Sequence, residues 1–246
     1  MQARQLRARR PGEILSAAIQ IVRAHYKPLL LASAVFLVPG ELFVLAQPYR
    51  DSYTDILDLI LALAASTTVA MVVSDIYTGK EPDVRRSIEA LFSRSGSVLA
   101  AGILQGIILL TGLLLLVVPA FIFYAWTFAM PVIVVLEGAG AYEAYGRSRA
   151  LAKGNVRHVL VTLAMTWASV VVLYFGTLLS INVVTEFVGI YDLNLTLIDS
   201  AMRRLAHPLV SVVATVLYYD LRIRQEGFDL QPHAGEMNRE APRAFA

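Results

Sequence analysis

Residues 97–136 read "SVLAAGILQGIILLTGLLLLVVPAFIFYAWTFAMPVIVVL", and none of these forty side chains is charged. A single helix of that length would measure about 60 Å at about 1.5 Å per residue. The hydrocarbon core of a bilayer is only about 30 Å thick, so the run must turn back on itself. We expect the turn at residues 118–119, because Pro119 suits the first turn of a new helix. The stretch predicts two membrane-spanning helices joined by a tight hairpin.

The rest of the chain has the same membrane-like composition. Of its 246 residues, 57% are hydrophobic and 16% are charged, whereas soluble domains average about 25% charged residues. Six segments reach the length of about 20 mostly apolar residues that a spanning helix needs, at about 28–46, 54–77, 97–117, 119–136, 156–180 and 205–221. We predict an all-α integral membrane protein with a single six-helix transmembrane domain over residues 12–231. Residues 1–11 are interpreted as a basic cytosolic tail, and residues 232–246 as a flexible cytosolic tail.

The positive charges predict the orientation of these six spans. Eighteen Lys and Arg residues fall on one side of the membrane and three on the other. The eighteen are Arg4, Arg7, Arg9, Arg10, Arg23, Lys27, Lys80, Arg85, Arg86, Arg94, Arg147, Arg149, Lys153, Arg157, Arg222, Arg224, Arg239 and Arg243, and the three are Arg50, Arg203 and Arg204. Positive residues accumulate on the cytosolic side, so both termini are predicted to be cytosolic. A five-span arrangement would place one basic cluster outside and is rejected.

A short amphipathic segment precedes the first, third and fifth spans, starting near residues 12, 82 and 141. Apolar residues recur in each segment with the period of an α-helix, as at Val84, Ile88 and Leu91 in the second. Basic residues lie beside them, so we expect each helix to lie in the cytosolic interface of the membrane. The chain is therefore predicted to form three hairpins, each preceded by a cytosolic-side amphipathic interfacial helix. Such units would form a parallel repeat.

The second, fourth and sixth spans each end on an acid that a glycine soon follows. The acids are Asp75, Glu137 and Asp220. The helix macrodipole disfavours a carboxylate at a helix C-terminus, so the repetition calls for an explanation. Either each acid pairs with a nearby arginine and joins the hairpin to an interfacial helix, or the acids form a shared polar cluster that binds a ligand. The candidate partners are Arg85 or Arg86 for Asp75, Arg147 or Arg149 for Glu137, and Arg222 or Arg224 for Asp220.

Two stretches of the chain resemble the signature of a known family. Residues 137–155, "EGAGAYEAYGRSRALAKGN", resemble its E-G-x-G-x-x-x-A-x-x-R-S-x-x-L-x-x-G motif, and residues 217–230, "LYYDLRIRQEGFDL", are similar to its C-terminal Y-x-D-x-R-x-R-x-E-G-x-D-L ending. The family is the glycerophosphoryl diester phosphodiesterase membrane domain of bacteria and archaea, with the YciC-like membrane proteins as relatives. The resemblance covers residues 12–231 and implies a six-helix module of the prokaryotic cytoplasmic membrane.

Tyr218 and Tyr219 are expected in the aromatic belt at the interface.

The resemblance implies a cytosolic rim of motif residues and no catalytic residue. Some family members carry a fused soluble phosphodiesterase barrel, for which we expect no room in this chain, so the enzymatic activity is not transferred. The matching positions are Glu137, Gly138, Arg147, Ser148, Gly154, Asp220, Arg222, Arg224, Glu226 and Gly227. Together with Arg149 and Lys153, these positions are the candidate site for a lipid or a partner protein.

Glu41 and Asp75 are candidate members of a polar site within the membrane, where buried charge is costly. Glu41 follows Pro39 and Gly40 in the first span, and proline loosens a helix by removing a backbone hydrogen bond. The carboxylate lies about 20 Å along the helix from the cytosolic side. It is either solvated at the outer interface or part of a polar vestibule. Its candidate partners in a vestibule are Arg203, Arg204 and His207.

The residue types restrict the chemistry that this chain can carry. Cysteine is absent and the four histidines are scattered, so no metal, cofactor or catalytic set is predicted. The basic clusters lie in short loops beside the membrane, which favours anionic lipid headgroups over nucleic acid. We expect a non-catalytic membrane module that organises or binds anionic lipids or a partner protein at its cytosolic face. The alternative is a transporter or channel for a small or amphiphilic solute; a lipid enzyme would need a polar catalytic cluster that the sequence does not display.

Overall fold

The computed structural model describes residues 9–45, 52–188 and 195–226, and over these ranges the chain forms ten α-helices and no strand. The helices are α1 (Pro11–Ala24), α2 (Tyr26–Leu45), α3 (Ser52–Tyr77), α4 (Val84–Ser93), α5 (Ser95–Leu115), α6 (Val117–Thr127), α7 (Met130–Glu137), α8 (Ala141–Ala152), α9 (Val156–Val188) and α10 (Leu195–Glu226). The predicted all-α class is confirmed. The predicted tail at 232–246, Gly227 and residues 1–8 lie outside the described residues.

Three of the short helices, α1, α4 and α8, begin with the same capping contact, in which a carboxylate near the helix start accepts a hydrogen bond from a backbone N–H. Glu13 accepts from the amide of Arg10 at 3.0 Å, and Glu143 accepts from the amide of Gly140 at 3.1 Å. In α4 the N-cap residue Asp83 accepts from the amide of Arg86 at 3.1 Å. Each contact satisfies a donor that a helix start leaves unpaired and places negative charge at the positive end of the helix dipole.

Five stretches of helix are long and apolar enough to cross a membrane. They are Tyr26–Phe43 in α2, Tyr53–Tyr77 in α3, Ser95–Leu115 in α5, Val118–Glu137 across α6 and α7, and Val156–Ile181 in α9. They correspond to the first five predicted spans. Within the described part of the chain, α10 is not among these five, although it contains the predicted sixth span.

Several helix boundaries differ from the predictions. The turn of the apolar hairpin lies at Leu116 rather than at 118–119, which leaves Pro119 in the first turn of α6. The fourth span is interrupted between α6 and α7, because Pro131 in the first turn of α7 has no N–H to continue the hydrogen bonds of α6. Helices α9 and α10 extend beyond the predicted 156–180 and 205–221. At 33 residues, α9 is about 50 Å long, which is more than the hydrocarbon thickness.

Helix α10 packs against α1, α2, α3, α7, α8 and α9, and its second half is largely buried. Its residues Val212, Val213, Leu217, Tyr218 and Leu221 are completely buried. Because its neighbours are protein helices rather than lipid, this helix can carry polar residues on buried faces. That position explains why α10 is less apolar than the other long helices.

The half of the bundle away from α1, α7 and α8 is covered by exposed apolar side chains. In α5, Ile103, Ile107, Leu110 and Leu114 are all more than half exposed, whereas Val98 near the start of the helix is buried. Apolar residues of α2, α3, α6 and α9 are exposed as well, among them Leu42, Leu59, Val118 and Val172. A soluble protein rarely exposes such a surface; in a bilayer the surface would contact lipid tails. The tightly packed half of the bundle is therefore the half that contains α1, α7 and α8.

The order of the helices repeats three times as short, long, long. The short helices α1, α4 and α8 start at Pro11, Val84 and Ala141, close to the predicted repeat starts near 12, 82 and 141. Each is followed by a long helix and then by a second long helix, which in the middle unit is divided into α6 and α7. The helix order therefore agrees with three units of similar design.

Candidate cytosolic-rim site

Glu137, the last residue of α7, is the centre of a polar network that we call the Glu137 network. Its Oε2 accepts a hydrogen bond from Arg147 Nε in α8 at 3.0 Å, and its Oε1 accepts one from the hydroxyl of Tyr218 in α10 at 2.6 Å. The same arginine also pairs through Nη1 with Glu226, which pairs in turn with Arg222 Nε at 3.1 Å. The network joins the ends of α7 and α10 to the middle of α8.

Asp220 is the centre of a second cluster, which we call the Asp220 network. Its side chain is only 2% exposed. Oδ2 accepts from Arg224 Nε at 2.6 Å and lies 3.0 Å from Nε2 of His158. Oδ1 accepts from the backbone amide of Arg9 at 2.6 Å, and Arg224 donates through Nη2 to the carbonyl of Arg9. The carboxylate thereby fixes the chain just before α1 between α9 and α10.

Tyr77 of α3 and Tyr218 and Tyr219 of α10 lie beside these two networks. Tyr219 stacks on Tyr77 with ring centroids 5.1 Å apart and an interplanar angle of 6°. Its hydroxyl lies 2.7 Å from Oγ of Ser74, and Arg9 Nη1 donates to the hydroxyl of Tyr77 at 2.7 Å. Tyr218 and Tyr219 are buried, at 0% and 6% exposed. The prediction that they belong to an interfacial aromatic belt is therefore wrong, because α10 is surrounded by protein.

Two of the three predicted acid–arginine pairs are present, and they involve Glu137 with Arg147 and Asp220 with Arg224. The third is not found among the described residues, where Arg85 pairs with Glu89 at 2.9 Å instead of with Asp75. An i,i+4 pair on one exposed helix forms without fixing any tertiary geometry. The first two acids join separate elements, which supports the joining role that the sequence suggested for them.

Two glycines of the motif have backbone angles that suit glycine. Gly138 follows α7 with a φ of 75°, and Gly154 follows α8 with a φ of 80°. Other residues enter this left-handed region at a cost. At Gly138 a Cβ would also approach the guanidinium of Arg94, whose Nη1 donates to the carbonyl of Val134 at 3.2 Å. This arginine satisfies a backbone carbonyl near the C-terminus of α7.

The remaining motif residues lie along α8 and its end. Ser148 is completely buried, and its Oγ has no hydrogen-bond partner among the described residues. The guanidinium of Arg149 lies 4.6 Å from the ring centroid of Trp126 in α6. The carbonyl of Lys153 accepts a hydrogen bond from Gln225 of α10 at 2.6 Å. Arg149 thus differs from Arg147 in contacting an aromatic ring rather than a carboxylate.

The charges of the Glu137 network affect the acid–base behaviour of its members. Hydrogen bonds to Glu226 and Glu137 raise the pKa of Arg147 above its ordinary value, despite an opposing effect of burial. Burial raises the pKa of Glu226, but hydrogen bonds from Arg147 and Arg222 outweigh it and hold the pKa below the usual range. Both groups are therefore charged at neutral pH, and Arg147 is shared by two carboxylates.

Glu41 and Asp75 are not brought together. Gly40, beside Glu41, packs on Leu61 of α3, and Asp75 is about 20 Å further along that helix. His207, one of the predicted vestibule residues, lies with Nε2 3.1 Å from the carbonyl of Ala62. The side chains of Arg203 and Arg204 lie outside the described residues, so the vestibule stays a prediction.

Sequence reasoning missed several residues of these networks, notably His158, Arg9 and Trp126. His158 lies 62 positions from Asp220, and Arg9 lies 211 positions from it. The one available signal was the Tyr218-Tyr219-Asp220 triplet, because consecutive helical residues point in different directions and three polar groups in a row need separate partners. Trp126 gave no such signal.

The arrangement can hold charges in place and present basic groups. The described residues contain no group of three or more His, Asp or Glu side chains that could hold a metal ion. No family model, no curated protein and no solved structure matches this chain. The apolar helices and the exposed apolar surface define a multi-pass helical membrane protein.

Proposed function

We propose that this protein is a non-catalytic integral membrane module that binds anionic lipid headgroups at its cytosolic face. In this proposal the six spans form three hairpins, α1, α4 and α8 lie in the cytosolic interface, and both termini are cytosolic. The motif resemblance supports membership of the glycerophosphoryl diester phosphodiesterase membrane-domain family and a place in a prokaryotic cytoplasmic membrane. Partner proteins could use the same basic face.

The observation that carries this proposal is the contact of the Arg149 guanidinium with the ring of Trp126, 4.6 Å from its centroid. A guanidinium whose face lies on an aromatic ring keeps its N–H groups directed outward along its edges. Those edges match the geometry of a phosphate, which arginine can bind with two parallel hydrogen bonds. Arg149 is exposed, and Trp126 lies next to Thr127, the last residue of α6.

The other arginines of the motif are less suited to a lipid. Arg147 serves two carboxylates, Arg222 pairs with Glu226, and Arg224 pairs with buried Asp220. A phosphate that approached them would have to displace a carboxylate and would be repelled by it. The Glu137 and Asp220 networks therefore support the rim, and Arg149 is the group that we assign to the headgroup.

We expect Arg149→Gln to lower the retention of phosphatidylglycerol about tenfold in native mass spectrometry, because a hydrogen bond to a charged group contributes about 1.5–3 kcal/mol. Arg85→Gln is the matched control, since it removes the same charge from an exposed side chain that pairs with Glu89 of the same helix, and it should change retention by less than about twofold. Phosphatidylcholine should be retained weakly by the wild type and by both variants. Equal losses in both variants would show non-specific attraction and contradict the assignment.

The position of α10 supports a sixth span. Its end contacts α8 through Arg147 and Glu226 and contacts the start of α9 through Asp220 and His158. Because α9 runs away from that point over its whole length, α10 has to return along the bundle to reach it. This return would place Gln225 on the same side of the membrane as residue 78, after α3, and opposite Leu116 at the hairpin turn.

The absence of cysteine makes this topology directly testable with single cysteines. In intact cells, Leu116→Cys should react with a membrane-impermeant maleimide, because that turn is predicted to be outside. Thr78→Cys and Gln225→Cys should react only after the membrane is permeabilised. Labelling of Gln225→Cys in intact cells would exclude the six-span arrangement with cytosolic termini.

A further inference from the structure

The end of α8 carries two exposed basic side chains, Arg149 and Lys153, which we call the Arg149–Lys153 pair. The backbone amide of Lys153 donates to the carbonyl of Arg149 at 3.0 Å, so the two residues lie one helical turn apart on one face. Residues at this spacing have Cβ atoms about 5–6 Å apart. Gln225 of α10 donates to the carbonyl of Lys153 at 2.6 Å, which fixes this turn against the bundle.

No carboxylate neutralises the Arg149–Lys153 pair within the part of the chain that the structure describes. The contact of Arg149 is the ring of Trp126, and the contacts of Lys153 involve its backbone. The three acids of the rim, Glu137, Asp220 and Glu226, already pair with other arginines. Helix α9, which follows, has no acidic residue in its first turn. Two positive charges are therefore available to an anion from outside the protein.

The pair lies where two apolar helices meet. Arg149 contacts Trp126, one residue before the end of α6, and α9 begins three residues after Lys153. Helices α6 and α9 pack against each other. Both expose apolar side chains, among them Phe121 in α6 and Val161 in α9. Each cation thus lies at the end of a different helix with an exposed apolar surface.

We propose that the Arg149–Lys153 pair binds a headgroup with two phosphates joined by a short linker such as glycerol, with one phosphate on each side chain. The inference rests on the proposed function, which assigns a single phosphate to Arg149. A guanidinium binds a phosphate through two parallel hydrogen bonds, whereas the ammonium of a lysine binds one as a point charge on a flexible stem. When each phosphate carries its own acyl chains, these chains can lie along α6 and α9.

The test compares cardiolipin, which has two phosphates, with phosphatidylglycerol, which has one, in native mass spectrometry. The wild type should retain cardiolipin about tenfold better, because the second phosphate adds a charge-assisted contact. Lys153→Gln should lower cardiolipin retention about tenfold and phosphatidylglycerol retention by less than about twofold. Lys80→Gln is the matched control, since it removes an exposed lysine from the segment between α3 and α4, and it should preserve the preference for cardiolipin.

Two results would overturn the inference. Equal losses of both lipids in Lys153→Gln would mean that both cations contact a single phosphate, and a preference that survives Lys153→Gln, or that falls equally in Lys80→Gln, would mean attraction by overall charge. The proposed function fails separately, if Arg149→Gln leaves the retention of phosphatidylglycerol unchanged.

Dissolved glycerol 1,3-bisphosphate distinguishes a lipid from a soluble ligand, because it offers the same two phosphates without acyl chains. Displacement of cardiolipin only by a large excess of the bisphosphate supports a lipid, since the acyl chains then contribute to binding. Displacement at equal concentration would overturn the lipid assignment and identify a soluble bisphosphate as the ligand.

Discussion

Asp220→Ala is expected to lower the free energy of unfolding by about 3 kcal/mol, because it removes one partner from a buried ionic cluster. The carboxylate accepts hydrogen bonds from Arg224 and from the amide of Arg9, and it contacts His158. Without it, the Arg9 amide and His158 lose an acceptor at a site with little water. The loss also frees the chain before α1 from α9 and α10, so the effect should exceed that of any single surface pair.

Thermal unfolding in detergent micelles, followed by circular dichroism and compared with a denaturant titration, measures this effect. Asp220→Asn keeps the shape of the side chain and one acceptor oxygen. We therefore expect its free energy of unfolding to lie between those of the wild type and of Asp220→Ala. Glu89→Gln is the control, since it breaks an exposed pair on one helix and should change stability by less than about 0.5 kcal/mol. A loss for Asp220→Ala as small as that of the control would mean that the Asp220 network does not fix α1.

The helices were predictable because a membrane span requires a long apolar run, which composition alone discloses. The prediction was weakest for α10. Hydropathy measures how well a helix suits contact with lipid, whereas α10 is enclosed by other helices of the protein. Tyr218 and Tyr219 show the same limitation, because their polar hydroxyls suggested an interface and instead find partners inside the bundle. The break before Met130 was also missed, since Pro131 is compatible with either a kinked span or two helices.

The pairing of Glu137 with Arg147 was predictable because the two residues are ten positions apart and lie on adjacent helices. The contacts of His158 and Arg9 with Asp220 depend on how α1 and α9 pack on α10, and sequence spacing carries no information about that packing. The same reasoning applies to Arg149 and Trp126, which lie on different elements. Local sequence patterns therefore indicated which acidic residues form the networks. Their partners on other helices could be identified only from the packing of the fold.

Arg147→Met is expected to lower the free energy of unfolding by about 2 kcal/mol at pH 7, because one arginine holds two carboxylates that would otherwise face each other. Its partners Glu137 and Glu226 come from α7 and α10, and the variant would leave both negative charges close together. Methionine retains much of the apolar stem of arginine, so the expected loss comes mainly from the charge. Arg157→Met, at the exposed start of α9, should change stability by less than about 0.5 kcal/mol.

The pH dependence separates this charge effect from a packing defect. The pKa of Glu226 is held below its ordinary value of 4.5 in the folded protein, so its contribution to stability is present above pH 4.5 and is lost as the pH falls through the folded pKa. In Arg147→Met, protonation of Glu226 removes its repulsion with Glu137, so the variant loses less stability than the wild type as the pH falls. The stability difference between wild type and variant should therefore shrink as the pH falls from 7 through the folded pKa of Glu226. A difference that stays constant over this range would mean that Arg147 stabilises the rim by packing and not by pairing Glu137 with Glu226.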